Sequence, residues 1–294
     1  MIDFDNFFNN VLQVTNNQTL KSKLFTQKQK SNILYLTNQC NLDCDYCYQK
    51  NDRKVKYTIS KDEIDYFFAT LCKSESDKVS TVVIFGGEPT LETELIFYIF
   101  NLTDSITQNT DKKFALSMTT NGLAFLETNF LNKFKERIKT LKNKFSLEIS
   151  YDGSGQDRRT YKNGKSTREE VEYILSIIKP DAIRYTIHKS NYNSALEDII
   201  KLCMKYPKVV VNFYETELET LVSIEEYKQS LKSKCEYIFT KLKVPICHLA
   251  CRTCIGCNYE EFDGINYNSK FVINNNAGDF NHFTTLRDLQ DNQN

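Results

Sequence analysis

The chain has no surplus of either charge: 38 basic and 38 acidic residues leave a formal net charge of zero. Electrostatics therefore demand no nucleic-acid partner, and a large RNA substrate is argued against. Long apolar runs are missing too, none approaching the ~18 residues that cross a bilayer, so no membrane association is expected. The opening Met1-Ile2-Asp3-Phe4-Asp5 carries acid where a secretory signal carries base. A cytoplasmic protein is expected. Histidine is scarce, with three in 294 residues, and neither His188 nor His282 has a partner at ligand spacing. No solenoid-type repeat is visible.

What the chain does have is cysteine, ten in all. In a reducing cytosol these read as metal ligands and buried thiols rather than disulfides. Cys40, Cys44 and Cys47 lie in the phrase Leu36-Thr37-Asn38-Gln39-Cys40-Asn41-Leu42-Asp43-Cys44-Asp45-Tyr46-Cys47-Tyr48, directly after a short apolar run with strand character. A 4Fe-4S cluster normally takes four thiolates, so a cluster on these three would keep one iron open to a non-protein ligand. An open position separates a reactive metal site from a closed structural one, an argument made for zinc that carries over to a cluster. On spacing alone, zinc is the structural alternative.

Strand and helix patterns alternate around this loop. Residues 1–31 present Phe4, Phe7, Phe8, Val11 and Leu12 at helical spacing, then a Lys/Gln-rich link. Strands are expected at 33–37, 81–85, 114–119, 145–150, 182–187 and 209–213. Helical faces follow each, among them Ile64, Phe67, Phe68 and Leu71 behind a Ser60-Lys61-Asp62-Glu63 capping box. Others open at Ser166 or Thr167, at Ser194 and at Ser223. Six strand-helix units imply a parallel sheet with right-handed crossovers. The expected fold class is α/β, a partial (β/α)6 barrel of TIM type over residues 32–243, with ligands at the carboxyl ends of its strands. Cys72, Cys203 and Cys235 fall on helical apolar faces and read as core thiols.

The strand ends carry polar motifs. After the second comes Phe85-Gly86-Gly87-Glu88-Pro89-Thr90-Leu91, whose glycines would let backbone approach a ligand while the carboxylate holds an ammonium group. An ordinary turn capped by Thr90 is the other reading. The third and fourth strands end in Thr119-Thr120-Asn121-Gly122 and Ser150-Tyr151-Asp152-Gly153. Small polar side chains there suit hydroxyl and carboxylate hydrogen bonds, although Asn-Gly and Asp-Gly are also common turn pairs.

The cysteine spacing with Tyr46 before the last cysteine, together with the Gly-Gly-Glu-Pro segment in its place, resembles the radical S-adenosylmethionine (SAM) superfamily. The resemblance covers roughly residues 31 to 285. It implies a 4Fe-4S cluster on Cys40, Cys44 and Cys47 whose open iron is chelated by SAM. It further implies that Gly86, Gly87, Glu88 and Pro89 hold the SAM amino group, that Tyr46 belongs to the cofactor site, and that Asn121, Ser150 and Asp152 face SAM. Related chains continue with His-Asp-x-x-Arg. Here stands Gln156-Asp157-Arg158-Arg159, shortened and without the histidine. Arg159 is assigned to the SAM carboxylate, with Arg158 and Arg184 as alternatives. The implied chemistry is one-electron. An external donor such as flavodoxin or ferredoxin reduces the cluster, SAM is cleaved, and a 5'-deoxyadenosyl radical takes a hydrogen atom from the substrate, while the protein positions the reactants and excludes water.

The tail adds Cys247, Cys251, Cys254 and Cys257, four thiols in eleven residues, a metal-binding pattern. The resemblance extends to SPASM or twitch extensions of peptide-modifying members, which implies an auxiliary 4Fe-4S cluster, with zinc as second choice and His248 beside the ligands. Residues 264–280 resemble the small hairpin of those extensions. Phe280 stands where a further cysteine is usual, so a single auxiliary cluster in a twitch-like extension over 244–294 is expected. The implied function is modification of a peptide or protein side chain, with a small metabolite or nucleoside as the alternative substrate. The 31 residues before the barrel are too few for a separate leader-binding domain.

Overall fold

Ser60 and Glu63 open the first described helix by a reciprocal exchange, Ser60 N donating to Glu63 Oε2 at 2.8 Å and Glu63 N to Ser60 Oγ at 3.2 Å. The helix that follows, α1 (Lys61–Lys73), buries Ile64, Phe68 and Leu71 as the spacing requires. The computed structural model describes residues 32–73, 79–241, 246–248 and 271–273. Residues 1–31, Cys251, Cys254, Cys257 and the first arm of the tail hairpin lie outside them.

Strands β1 (Asn32–Tyr35), β2 (Val79–Phe85), β3 (Lys113–Thr120), β4 (Lys144–Ser150), β5 (Ala182–Ile187) and β6 (Val209–Phe213) pair in chain order, each parallel to the next. Between them run α1, α2 (Thr93–Asn109), α3 (Thr128–Thr140), α4 (Arg168–Ile177) and α5 (Ala195–Lys205). After β6 come a single turn, α6 (Glu215–Leu218), and α7 (Ile224–Lys241). The six strands form the expected curled half-barrel with flanking helices. Two further strands of three residues, β7 (Ile246–His248) and β8 (Phe271–Ile273), continue the sheet in the order β6-β8-β7. β8 thus lies parallel to β6, whose outer edge is paired rather than open. Cys247 sits opposite Val272 in this extension.

The strands alternate with a period of two, and the two sets do different work. Leu116, Met118, Leu147, Ile149, Ile183, Tyr185, Ile187, Val209 and Val211 are buried in the core with the helices. A ring cluster of Phe100, Phe125, Phe130, Phe134 and Phe145 knits α2, α3 and β4 together with edge-on and stacked contacts. Each large apolar side chain so buried contributes about 1.5–3 kcal/mol. The intervening residues Thr119, Ser150, Arg184, Thr186 and Asn212 line a cavity instead.

Candidate functional site

β1 stops at Tyr35 because the chain turns there toward the cysteine loop. Leu36 N still donates to Phe85 O at 2.8 Å; then Gly87 N donates to Thr37 O at 2.7 Å and Glu88 N to Gln39 O at 2.8 Å. The approach to Cys40 is thereby fastened, backbone to backbone, onto the Gly-Gly-Glu turn. A Cβ at Gly86 would meet Thr37 O at 2.5 Å, and one at Gly87 would meet Gln39 O at 2.4 Å and Asn38 O at 2.7 Å. Each missing side chain thus leaves room for the chain's own loop.

Cys40, Cys44 and Cys47 are free thiols. They share one wall of a cavity of about 330 Å³ at the carboxyl ends of the strands, with Tyr46, Gly86, Gly87, Glu88, Asn121, Ser150 and Arg159 also on its lining. Burial pushes the Cys40 thiol up to about 12, helped by the charge of Glu88, and raises Cys44 as well. Such thiols lose their protons on binding metal. Among the described residues no three His, Cys, Asp or Glu side chains converge on a point that one ion could fill. A single zinc would draw its sulfurs to within about 4.6 Å of one another, twice the Zn–S distance of ~2.3 Å. Three thiols on the lining of one cavity suit a cluster, in which each binds its own iron.

Glu88 is fully buried and accepts four hydrogen bonds. Oε1 takes Thr90 N at 3.0 Å, Thr90 Oγ1 at 2.6 Å and Thr120 Oγ1 at 2.6 Å, and Oε2 takes Asn121 N at 2.7 Å. Burial raises its pKa against these bonds, each of which lowers it. The carboxylate thus ties the end of β2 to the end of β3, and Pro89, also buried, starts the turn behind it. Asn121 continues the chain of contacts, its Nδ2 donating to Asn41 Oδ1 in the cysteine loop at 2.7 Å. Gly122 holds φ at 86°, the left-handed conformation an Asn-Gly turn needs.

Asp152 is completely buried and is not on the cavity lining. Its carboxylate accepts from Arg159 Nε at 2.8 Å and Nη2 at 3.1 Å, from Thr186 N at 2.9 Å and from the Tyr46 hydroxyl. It therefore stands one layer back, orienting Arg159 and Tyr46. Burial would lower the pKa of Arg159, but Asp152 beside it lifts it well above its ordinary value. His188 stacks on Tyr46 at 4.8 Å, with burial lowering its pKa. Arg158 faces away from the cavity, gripping Asp45 at 2.7 Å and Glu217 at 2.5 Å. Arg184 lines the cavity, and among the described residues its side chain's one hydrogen bond runs from Nε to Glu148 Oε2 at 2.6 Å.

The sequence reading did not single out Glu148, Thr186, Asn212 or Arg53. An acid on a buried parallel strand was the available signal for Glu148, and Arg53 is a cation one short turn beyond Cys47.

The Radical SAM superfamily model matches residues 34–211. An uncharacterized protein of Methanocaldococcus jannaschii is 27% identical over 216 residues, 70% of this chain and 71% of its own. A second protein of that organism, named probable GTP 3',8-cyclase, is 23% identical over 74% of this chain and 71% of its own. Among solved structures, native anSMEcpe with bound AdoMet and Kp18Cys peptide is similar, with 20% identity and a TM-score of 0.49, over 62% of this chain. This chain spans half the length of that protein.

Proposed function

The chain belongs to the radical SAM superfamily and is an enzyme of it, and from that premise we propose that it cleaves SAM reductively and modifies a peptide or protein side chain. The observation that carries the reading is the convergence of the three thiols, the Glu88 turn, Asn121 and three arginines on one cavity. When bound, a 4Fe-4S cluster on Cys40, Cys44 and Cys47 supplies the electron that breaks a carbon–sulfur bond of SAM. The chain's own residues do the rest. Glu88 offers a carboxylate to the SAM ammonium, and Asn121 and Ser150 offer polar groups from neighbouring strands. Arg184, whose Nη nitrogens carry no hydrogen bond among the described residues, offers a fork to the SAM carboxylate, whereas Arg159 is already held by Asp152. Leu42, Phe85 and Phe213 give the cavity an apolar face.

Relatives named probable GTP 3',8-cyclase favour a second reading, a nucleotide substrate. The cavity lining mixes Arg53, Arg159 and Arg184 with Glu88 and Glu215. The peptide reading is preferred on the tail, whose cysteine spacing resembles the extensions of peptide-modifying members. The tail cysteines Cys247, Cys251, Cys254 and Cys257 hold an auxiliary 4Fe-4S cluster in this reading, supported by their spacing.

Under anaerobic conditions with dithionite, a short peptide encoded beside the gene should accelerate 5'-deoxyadenosine formation and lose hydrogen mass. Acceleration by GTP and by no such peptide would overturn the peptide reading. If a Cys40→Ala, Cys44→Ala, Cys47→Ala variant still forms 5'-deoxyadenosine, the site itself is wrong.

A further inference from the structure

Arg53 stands in the short 3-10 turn Tyr48–Lys54 that follows the cysteine loop, and its guanidinium turns back onto that loop. Nη1 donates to Leu42 O at 2.9 Å, and Nη2 donates to Cys47 Sγ at 3.1 Å. Nε is buried and has no hydrogen-bond partner. No carboxylate of the described residues forms an ion pair with Arg53, although it lines the same cavity as the three thiols. A permanent cation is thus fixed against a ligand sulfur by two contacts, in a spot where its charge is not cancelled.

We infer that Arg53 is a positioning residue that holds the Cys47 sulfur in place and raises the reduction potential of the cluster on this loop. The physical reason is general. Cluster potentials depend on net charge, on hydrogen bonds to the sulfurs and on exposure. A cationic N–H donor on a ligand sulfur stabilises the reduced cluster, which carries one more electron, over the oxidised one. Arg53 would let a one-electron donor of moderate strength load the cluster, and the same contact to Leu42 O keeps the loop from opening between Cys40 and Cys44.

The inference rests on the reading of this loop as a cluster site, and its test separates the two. Wild type, Arg53→Lys and Arg53→Met are reconstituted anaerobically, their iron is counted, and the cluster is titrated without SAM while the reduced-state EPR signal is followed. The midpoint should move to a more negative potential in Arg53→Met and stay near wild type in Arg53→Lys, which keeps the charge. Should Arg53→Met take up less iron than wild type, the titration is made on Arg53→Gln, which is neutral but can still donate to sulfur and carbonyl. An unshifted midpoint in a fully loaded neutral variant overturns the inference. Absence of any reduced-cluster signal in wild type overturns the cluster reading beneath it.

Discussion

Asp152 holds Arg159, a cavity-lining side chain, from behind the wall, with two parallel hydrogen bonds of 2.8 and 3.1 Å and a carboxylate that no solvent reaches. The remaining capacity of Asp152 goes to Tyr46 and to Thr186 N, so a single acid sets two side chains of the cysteine-loop environment. Removing it leaves a buried guanidinium without its counter-charge. Asp152→Ala should destabilise the fold by about 3–5 kcal/mol, the cost of breaking a buried pair. In denaturant titrations the double variant Asp152→Ala, Arg159→Met should be less destabilised than the sum of the single changes; strict additivity would show that the pair is not coupled.

Glu88→Gln keeps the shape of the side chain but exchanges an accepting oxygen for a donating NH2. At least one of the four hydrogen bonds to Thr90, Thr120 and Asn121 is then lost. Stability should fall by about 1–3 kcal/mol. SAM affinity, read by calorimetry, should fall as well, by about 1.5–3 kcal/mol for the lost charge. A variant with normal melting and weakened SAM binding would show that the internal bonds carry no weight.

Gly87→Ala pushes a methyl group into Gln39 O at 2.4 Å and Asn38 O at 2.7 Å, both backbone atoms that cannot swing aside. The loop bearing Cys40 must move, and iron uptake after anaerobic reconstitution should drop well below that of wild type. Gly164→Ala is the comparison: φ there is +81°, but nothing lies within 4 Å. It should cost about 1–2 kcal/mol of backbone strain and leave iron uptake intact. Equal iron in both variants would exclude the glycine contact as a determinant of the loop.

For the tail, two 4Fe-4S clusters require about eight irons per chain, and one cluster with zinc about four irons and one zinc. Elemental analysis of wild type beside a Cys254→Ala, Cys257→Ala variant distinguishes them. Loss of zinc alone from the variant would remove the auxiliary cluster.

The half-barrel was legible because apolar periods of 3.6 and 2 alternate without interruption, and because Ser60 and Glu63 mark a helix start that no tertiary contact overrides. The cavity lining was legible where polar residues end a strand, as at Asn121 and Ser150. It was illegible where direction decides. Ser150 and Asp152 lie two apart and share a motif, yet one faces the cavity and the other lies behind it, because β4 has ended between them. Arg158 and Arg159 likewise diverge, one toward Asp45 and one toward Asp152, a division that depends on how the 3-10 turn Gly153–Arg158 closes. The partners of the glycines were out of reach too, since sequence cannot say whether a ligand or the chain itself fills a close approach.

The backbone seam between Thr37–Gln39 and Gly86–Glu88 joins a loop to a turn that stands about fifty residues away. The register of β1 against β2 therefore also sets where the cysteine loop begins. A slip of one residue in that pairing would part the seam and carry Cys40 away from the cavity, although Cys40 belongs to neither strand.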